Sequence, residues 1–535
     1  MKWIWQGTPG WNARWLIALA VFLIYGRSLT IGFMGDDYDI LTAVSQPHFD
    51  PWMTFPAGTG TYFRPLVLWL FYLEYQLAGT TAVWYHLTNL LLHVANGLLI
   101  FVLCRRILGH RPLSLSLALL FVAHPLGLTA VTNINARLDS VMTLFYLAAL
   151  WSFIRFSDTG HRRWLIVTAL ALLASLLSKE MGVTLVGALW LWWHWRQPEA
   201  TPYKTWGQLA LSLYALVTLL FVAYLYGRFY QSPAATPNFN LGYALSTFVV
   251  FPLLLLLPNR QSLLLQIYQA YPWLLWLGAA ALGLMLVGFL IWAYRRCHRR
   301  EPLLAAGWII ISLLPLALSG INSRRAYLPL AMTCLALAII SGRLPLRWHQ
   351  WRSMLLAITA IFALISFLQG QTWLDNWQTL QTACHSLPPL ALDTEPIFLT
   401  IPYTANEVPV FSNDLNKAIY FCQRRQFGAF ARVGTTGNLI LENGRFVTSM
   451  VTLTHPQPDA FNFAVDSPDL YFDFPREAQA GQVYESDMVR IMVTAVRADS
   501  RVAAFTITFL QPETVTDSPL FYFTGIKFEA ISPSP

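Results

Sequence analysis

Apolar segments long enough to cross a lipid bilayer recur along the first 370 residues and limit what this chain can fold into. A membrane-spanning helix needs about 20 apolar residues, with a range of roughly 17–25. Only 12% of the residues are charged, and 56% are hydrophobic. We therefore predict a polytopic α-helical membrane protein of about 11 transmembrane helices. The predicted crossings lie near 14–33, 84–104, 113–126, 138–156, 164–178, 181–195, 206–228, 271–294, 303–319, 325–341 and 352–369.

Basic residues concentrate in alternate connectors between these segments, as the positive-inside rule requires of cytoplasmic loops. Examples are Arg105-Arg106, Arg162-Arg163 and Arg295-Arg296. The amino terminus is then cytoplasmic, and the region after 370 is extracytoplasmic. This placement accounts for the net charge of +8, so we expect no nucleic acid partner. The apolar block at 241–257 contains Pro252 and is predicted to be re-entrant or interfacial.

The pattern changes after residue 370, where a helical connector at 371–386 leads to short apolar runs separated by Pro, Gly, Asn and Asp. Such runs predict β-strands, for example at 397–401, 490–494 and 504–509. We therefore expect two domains, a transmembrane domain at 1–370 and a soluble, mostly β, extracytoplasmic domain at 371–535. Cys384 and Cys422 could form a disulfide there or remain two thiols.

Polar residues that break the apolar pattern all fall on the predicted outer side. Asp36 and Asp37 end the first crossing, although carboxylates near hydrocarbon are costly unless hydrated or paired. Cations also occur in outer connectors that normally avoid them. Spacings of three and four residues place four further polar side chains on one face of the second crossing. The cations are Arg64, Arg137, Lys179, Arg324 and Arg325; the helix face holds His86, Asn89, His93 and Asn96.

Cations kept on the outer side favour an anionic ligand, and guanidinium binds phosphate through paired hydrogen bonds. A carboxylate in the same layer would repel phosphate but could remove a proton from an attacking hydroxyl. Together they predict a transferase with a phosphate-linked donor. Each element also has a structural alternative. The acidic cluster could be a solvated turn that caps a helix, the histidines could join helices, and Lys179 with Glu180 could form a neutral loop.

Several motifs, taken in order, resemble the GT-C superfamily of polytopic glycosyltransferases over about 15–370. The similarity is greatest to the protein O-mannosyltransferase-like and tetratricopeptide-bearing membrane mannosyltransferase branch and its bacterial relatives. Two positions depart from the family pattern, since Thr129 and Ser323 stand where Glu is frequent. The motifs are Asp36-Asp37-Tyr38, Tyr62–Leu66, Tyr85–His93, His124-Pro125, Ala136–Asp139, Ser178-Lys179-Glu180 and Ser323–Pro329.

The resemblance implies an inverting hexosyltransferase in which Asp36 or Asp37 is the general base. It implies a polyprenyl-phosphate-linked sugar donor and leaves a protein, lipid or glycan as the acceptor. Cofactors are not implied, and a divalent cation at the two carboxylates stays an open alternative. The absence of tetratricopeptide repeats after residue 370 favours a bacterial inner membrane, with the β domain periplasmic. The implied donor site contains Arg64, His86, Asn89, His93, Arg137, Lys179, Glu180, Arg324, Arg325 and Tyr327.

Three other functions remain open from the sequence. A transporter or flippase of lipid-linked or anionic substrates would also have polar residues in its helices, but near the membrane midplane. A polymerase or ligase of lipid-linked glycans is chemically closer to the predicted transferase. In a degenerate relative, the membrane part would be only a scaffold.

Overall fold

Helices fill most of the first 387 residues, as the apolar segments predict. The computed structural model describes residues 11–46, 48–50, 52, 55–57, 60–196, 203–229, 241–256, 301–319, 324–342 and 348–387, single residues between 273 and 288, and short strand-forming ranges after 396. The helices are α1 (Trp11–Tyr25), α2 (Asp37–Val44), α3 (Pro65–Ala78), α4 (Ala82–Leu108), α5 (Arg111–Ala123), α6 (Leu128–Thr132), α7 (Arg137–Thr159), α8 (Arg163–Ser178), α9 (Leu185–Arg196), α10 (Lys204–Phe229), α11 (Leu241–Leu256), α12 (Glu301–Ser319), α13 (Tyr327–Ser341) and α14 (Trp348–Ser386).

Short 3-10 helices at Gly26–Thr30, Pro125–Gly127 and Glu180–Thr184 adjoin several of these helices. Helix ends follow the local sequence. For example, α4 ends at Gly109, whose φ of 68° lies in the left-handed region that glycine adopts without strain. Pro112 stands in the first turn of α5, where no backbone donor is needed.

Five described helices are long and apolar enough to cross a membrane, which supports a multi-pass membrane protein. They are Asn12–Thr30, Ala82–Leu108, Arg137–Thr159, Lys204–Gly227 and His349–Ser386. A sixth span would be the bent pair Arg111–Ala123 and Pro125–Thr132, whose parts meet at 51°. The bend falls at Pro125, because proline cannot continue the helical hydrogen bonds.

The predicted number of about eleven crossings is not reached by the helices that the structure describes. Three of the predicted crossings are apolar helices shorter than 18 residues, at Arg163–Ser178, Glu301–Ala317 and Tyr327–Ser341. The candidate at 271–294 lies outside the described residues apart from single positions. The block at 241–257 is helical as α11 and includes Pro252, while its place relative to the membrane stays a prediction.

Two details differ from the helical pattern read from the sequence. The connector at 371–386 is not a separate helix, because α14 continues without a break from the last predicted crossing through Ser386. The long connector after the first crossing contains the apolar helix α3, which was not predicted. Its 14 residues are too few for a typical crossing.

Strands dominate the described residues after 396, which confirms a C-terminal sheet region. The strands are β3 (Ile397–Phe398), β4 (Thr404–Ala405), β5 (Val408–Pro409), β6 (Ala431–Arg432), β7 (Asn438–Leu441), β8 (Val451–Gln457), β9 (Ala460–Val465), β10 (Leu470–Asp473), β11 (Val483–Glu485), β12 (Val489–Val496), β13 (Val502–Phe509), β14 (Leu520–Phe523) and β15 (Phe528–Ile531); β1 (Phe55–Ala57) pairs with β2 (Gly60–Tyr62) near the amino terminus. One sheet has the order β11-β12-β13-β10-β7-β4-β5, in which β9 also pairs with β13 and β8 pairs with β9, and another has the order β15-β14-β3-β6.

The chain divides into two compact units. The first contains 1–29 and 44–370, and the second contains 30–43 and 371–535. The segment with Asp36 and Asp37 therefore groups with the C-terminal residues. Cys384 is buried in the second unit, whereas Cys422 lies outside the described residues, so their disulfide stays a prediction.

Helix α4 lies at the centre of the first unit, where it packs against α1, α5, α7 and α13. Gly97 allows the closest approach in this group. A Cβ at Gly97 would lie 2.6 Å from Val122 Cγ1 of α5 and 3.1 Å from Ile17 Cγ2 of α1. The missing side chain is therefore what lets three helices meet at this point.

We expect Gly97→Ala to lower the free energy of unfolding by about 1–3 kcal/mol, because the added methyl group overpacks the α1–α4–α5 contact. The matched control is Gly227→Ala in α10, where nothing lies within 4 Å of the added Cβ. That change should raise stability by up to about 1 kcal/mol through helix propensity. Unfolding in detergent, followed by circular dichroism, measures both. Equal effects of the two substitutions would contradict the packing role.

Candidate active site

Asp36 and Asp37 lie in a tight turn that starts helix α2. The N–H of Asp37 donates to the carbonyl of Met34 at 3.1 Å, and the N–H of Met34 donates to Oδ2 of Asp37 at 3.0 Å. Gly35, inside the turn, has a φ of 56°, which a residue with a side chain rarely adopts. Asp37 therefore fixes the turn with its own carboxylate.

The two carboxylates differ in their surroundings. Asp37 is 3% exposed, and its Oδ2 already accepts the Met34 hydrogen bond. Asp36 is only partly buried. The hydroxyl of Tyr38 donates to the carbonyl of Phe33 at 2.8 Å and closes the turn from the other side. Asp36 is thus the more accessible of the pair to a substrate.

The backbone just before this turn packs against Trp377 of α14 in the second unit. A Cβ at Gly32 would lie 2.3 Å from Nε1 and 3.0 Å from Cε2 of the indole. Only glycine permits this approach, since real Cβ contacts stay beyond 3.0 Å. Trp377 therefore limits where the Asp36–Asp37 turn can lie.

In the first unit, five charged side chains from four helix ends form the charge cluster, defined as Arg64, Glu180, Lys179, Asp139 and Arg324. Arg64, just before α3, donates to both carboxylate oxygens of Glu180 at 2.9 and 3.1 Å. Lys179 Nζ, at the end of α8, lies 2.5 Å from Asp139 Oδ1 in the first turn of α7. Arg324 Nε, just before α13, lies 3.8 Å from Asp139 Oδ2. Three cations thus face two carboxylates.

Burial differs strongly across the charge cluster. The side chains of Asp139 and Lys179 are 1% and 3% exposed, so each depends on the other for compensation of its charge. Arg324 is 23% exposed, and Glu180 is 46% exposed. Neither Arg324 Nε nor Asp139 Oδ2 has a hydrogen-bond partner among the described residues. Arg324 and Glu180, the more exposed members of the charge cluster, can therefore reach a ligand.

Burial lowers the pKa of Lys179 to about 8, although Asp139 and Glu180 raise it. Arg64 and Arg324 lower it further by repulsion between like charges. At Glu180, partial burial raises the pKa, but the charges of Arg64 and Lys179 outweigh this effect and hold the pKa well below its usual range. The Glu180 carboxylate is therefore ionised at neutral pH, and Lys179 is mostly protonated.

Arg137 is fully buried and bound on every side, unlike Arg64 and Arg324. It forms an ion pair with Glu74 of α3, donates through Nε to Asn89 Oδ1 at 2.8 Å, and donates through Nη2 to the carbonyl of Tyr85 at 2.7 Å. Its guanidinium also stacks 4.3 Å from the centre of the Phe71 ring. This geometry joins α3, α4 and α7.

His93 and Tyr327 form a buried connection between α4 and α13. His93 Nε2 lies 3.1 Å from the carbonyl of Val122, which can only accept, so Nε2 bears the proton. Nδ1 then accepts from the Tyr327 hydroxyl at 2.7 Å. Asn96 adds a donor to that hydroxyl at 3.3 Å. Tyr327 in turn holds the end of the segment that begins with Arg324, through its N–H to the Arg324 carbonyl at 3.4 Å.

The remaining predicted site residues, His86 and Arg325, lie close in sequence to Asn89 and Arg324. His86 is buried on the same helix as Asn89, and Arg325 is partly buried in the turn before α13. In the described ranges, no group of three or more His, Cys, Asp or Glu is placed to hold a metal ion.

Sequence reasoning missed Glu74 and did not include Asp139 among the site residues. Glu74 is the sole charge within the apolar helix α3, and a charge in an apolar segment generally marks a paired or functional residue. Asp139 follows Arg137 by two residues, and its partner Lys179 is 40 residues away. No local pattern reveals that pair.

Comparisons with known proteins agree with the predicted resemblance. Residues 63–226 match the family model described as dolichyl-phosphate-mannose-protein mannosyltransferase. Protein O-mannosyl-transferase Tmtc1 of Drosophila melanogaster is 32% identical over 177 residues, which cover 30% of this chain and 20% of that protein. TMTC3 of Homo sapiens is 30% identical over 189 residues, or 32% of this chain and 20% of that protein. The matched region thus spans about a fifth of these relatives.

A solved structure, ArnT from Cupriavidus metallidurans bound to undecaprenyl phosphate, aligns with a TM-score of 0.40 and 13% identity, covering 79% of this chain and 92% of that one. The family match includes Arg64, Lys179 and Glu180 but neither the Asp36–Asp37 turn nor Arg324. The family match and the relatives confirm the predicted resemblance to membrane mannosyltransferases.

We expect Gly32→Ala to disturb the Asp36–Asp37 turn, because the new methyl group would overlap Trp377. Backbone amides of Met34–Tyr38 should exchange with deuterium at least tenfold faster, which corresponds to about 1.4 kcal/mol of lost local stability. Adding Trp377→Leu to Gly32→Ala removes the overlapping indole and should reverse part of the effect. Exchange as slow in Gly32→Ala as in the wild type would contradict this contact.

Proposed function

We propose that this chain is an integral-membrane glycosyltransferase of the inverting GT-C type. It transfers a hexose from a polyprenyl-phosphate-linked donor to an acceptor at the outer face of the membrane. The observation that supports this most is the charge cluster, in which cations from three helix ends converge around two carboxylates. The name of the matched family, which includes dolichyl-phosphate-mannose, supports the same class of donor.

Arg64, Lys179 and Arg324 are the residues we assign to the donor phosphate. Arg64 and Arg324 are partly exposed, so their guanidinium groups can form paired hydrogen bonds to phosphate oxygens. Lys179 is buried and adds a positive charge next to them. Arg137 is placed differently, because its donors are used by Glu74, Asn89 and Tyr85. We assign it, together with His93 and Tyr327, to positioning the helices that hold the cations.

Asp36 is the carboxylate we assign as general base, and Asp37 is assigned to hold the turn. This division follows from the exposure of Asp36 and from the hydrogen bond that Met34 donates to Asp37. In the reaction, the acceptor hydroxyl attacks the anomeric carbon while the bond from that carbon to the phosphate oxygen breaks. The electron pair leaves with the phosphate, and the hydroxyl proton passes to Asp36.

The remaining assignments rest on the sequence. About eleven crossings, a cytoplasmic amino terminus and a periplasmic β-rich domain at 371–535 would place the charge cluster on the outer face of a bacterial inner membrane. A transporter would place its polar residues near the midplane, in broken helices. Arg64, Lys179 and Arg324 instead stand at helix ends, which favours a transferase at the surface. A polymerase or ligase of lipid-linked glycans would use the same donor chemistry.

Replacing the base provides the first test. We expect Asp36→Asn to lower kcat at least a hundredfold, because a positioned general base typically contributes about 10²–10⁴-fold. Asp37→Ala should instead lower stability together with activity, since it removes the carboxylate that accepts the Met34 N–H. Sugar transfer from a polyprenyl-phosphate donor in detergent, with thermal unfolding in parallel, measures both effects.

Asp39→Asn is the matched control for these variants, because Asp39 is a third carboxylate of the same segment, in the first turn of α2. It should retain most activity. Full activity of Asp36→Asn, in a protein that elutes and unfolds like the wild type, would exclude Asp36 as the base.

Donor use should depend on pH through Lys179. Protonated Lys179 attracts phosphate, and its pKa of about 8 means that kcat/KM for the donor should fall as the pH rises through about 8. Asp139→Asn removes a charge that raises this pKa, so the fall should begin at lower pH. Where that variant does not fold, Glu180→Gln tests the same effect, since Glu180 also raises the pKa. An unchanged profile in both variants would contradict the assignment.

A further inference from the structure

We propose that Glu180 occupies on Arg64 a position that the lipid phosphate takes only as it gains its second negative charge, at which point Glu180 leaves. This inference rests on the proposed function and adds to it the charge state that the site selects. Glu180 then acts as a displaceable counter-ion within the charge cluster.

The geometry of the Arg64–Glu180 pair is that of a bound oxyanion. Nη2 of Arg64 lies 2.9 and 3.1 Å from the two carboxylate oxygens, and Nε lies 3.3 Å from one of them. Guanidinium binds phosphate with the same parallel pairs of hydrogen bonds. A phosphate that replaces Glu180 would therefore meet donors that already point in suitable directions.

The two carboxylates of the charge cluster are not equally free to move. Asp139 is 1% exposed and holds buried Lys179, so its departure would leave a buried cation without compensation. Glu180 is 46% exposed, and its carboxylate can turn into water, where its charge is well solvated. Glu180 is therefore the carboxylate that a phosphate displaces, while Asp139 stays bound to Lys179.

The charges match the two states of the lipid phosphate. With both carboxylates in place, the charge cluster has one net positive charge; with Glu180 displaced it has two. A polyprenyl-phosphate sugar is a phosphodiester with one negative charge. When the bond to the anomeric carbon breaks and the hydroxyl proton passes to the base, the lipid retains a phosphomonoester. That group has about two negative charges at pH 7, since its second pKa is about 6.

Release of Glu180 would thus stabilise the leaving phosphate more than the bound donor. An interaction that grows as charge develops lowers the barrier, whereas one that binds both states equally does not. Glu180 also covers Arg64 in the absence of lipid, which reduces the affinity of the site for unrelated anions. Both effects depend on one negative charge at this position.

Binding of two lipid phosphates to Glu180→Gln tests the inference. The probes are farnesyl phosphate, a monoester, and methyl farnesyl phosphate, a diester, added at pH 7 to the purified full chain in detergent. Removing one nearby negative charge should tighten diester binding about threefold and monoester binding about tenfold, since the electrostatic energy scales with ligand charge. Tryptophan fluorescence or calorimetry measures the dissociation constants without any sugar transfer.

Glu485→Gln is the matched control, because Glu485 forms the same kind of pair with Arg490 in the C-terminal sheet, with Nε–Oε2 at 3.1 Å and Nη2–Oε1 at 3.3 Å. It should leave both dissociation constants unchanged. A second variant, Glu180→Ser, should reproduce the preference for the monoester if Glu180→Gln proves unstable.

Weaker binding of both probes to the folded Glu180 variants would overturn the inference, since Glu180 would then orient Arg64 for the ligand. An equal change for both probes would also overturn it, because the site would not distinguish charge states. Failure of the proposed function looks different. In that case the wild type would bind neither probe, and Arg64→Ala would change nothing.

Discussion

The buried ion pair between Lys179 and Asp139 fixes the geometry on which the other charged residues depend. It joins the end of α8 to the first turn of α7, with almost no exposure of either side chain. Breaking such a pair by removing one partner typically costs about 3–5 kcal/mol, because the other charge is left buried. The position of Lys179 also sets that of Glu180, the next residue. Arg64 and Arg324 are then attracted to carboxylates whose places are already determined.

The cations of the charge cluster were visible in the sequence because they lie in connectors predicted to be outer loops, and short outer loops normally exclude positive charge. The pattern could not separate ligand-binding cations from structural ones. Arg64 and Arg137 appear alike in the sequence, yet Arg137 is enclosed by Glu74, Asn89 and a Phe71 ring. Its partner Glu74 is 63 residues away. Such pairs depend on how helices pack, which periodicity alone does not reveal.

Helix positions followed the apolar lengths closely, and strands such as β12 and β13 followed the short apolar runs. Helix α3 was missed because it is too short to resemble a crossing. The grouping of residues 30–43 with the C-terminal residues was also not predictable, since contacts between Gly32 and Trp377 span most of the sequence. Local patterns thus predict elements well and predict long-range partners poorly.

The hydrogen bonds of His93 have a consequence for the acid tolerance of the helical core. One ring nitrogen must donate to the Val122 carbonyl, and the other must accept from Tyr327. A second proton on the ring would remove the acceptor and leave the Tyr327 hydroxyl facing a donor inside a dry core. The histidine therefore serves as a fixed neutral linker, and a second proton on its ring would break the connection between α4 and α13.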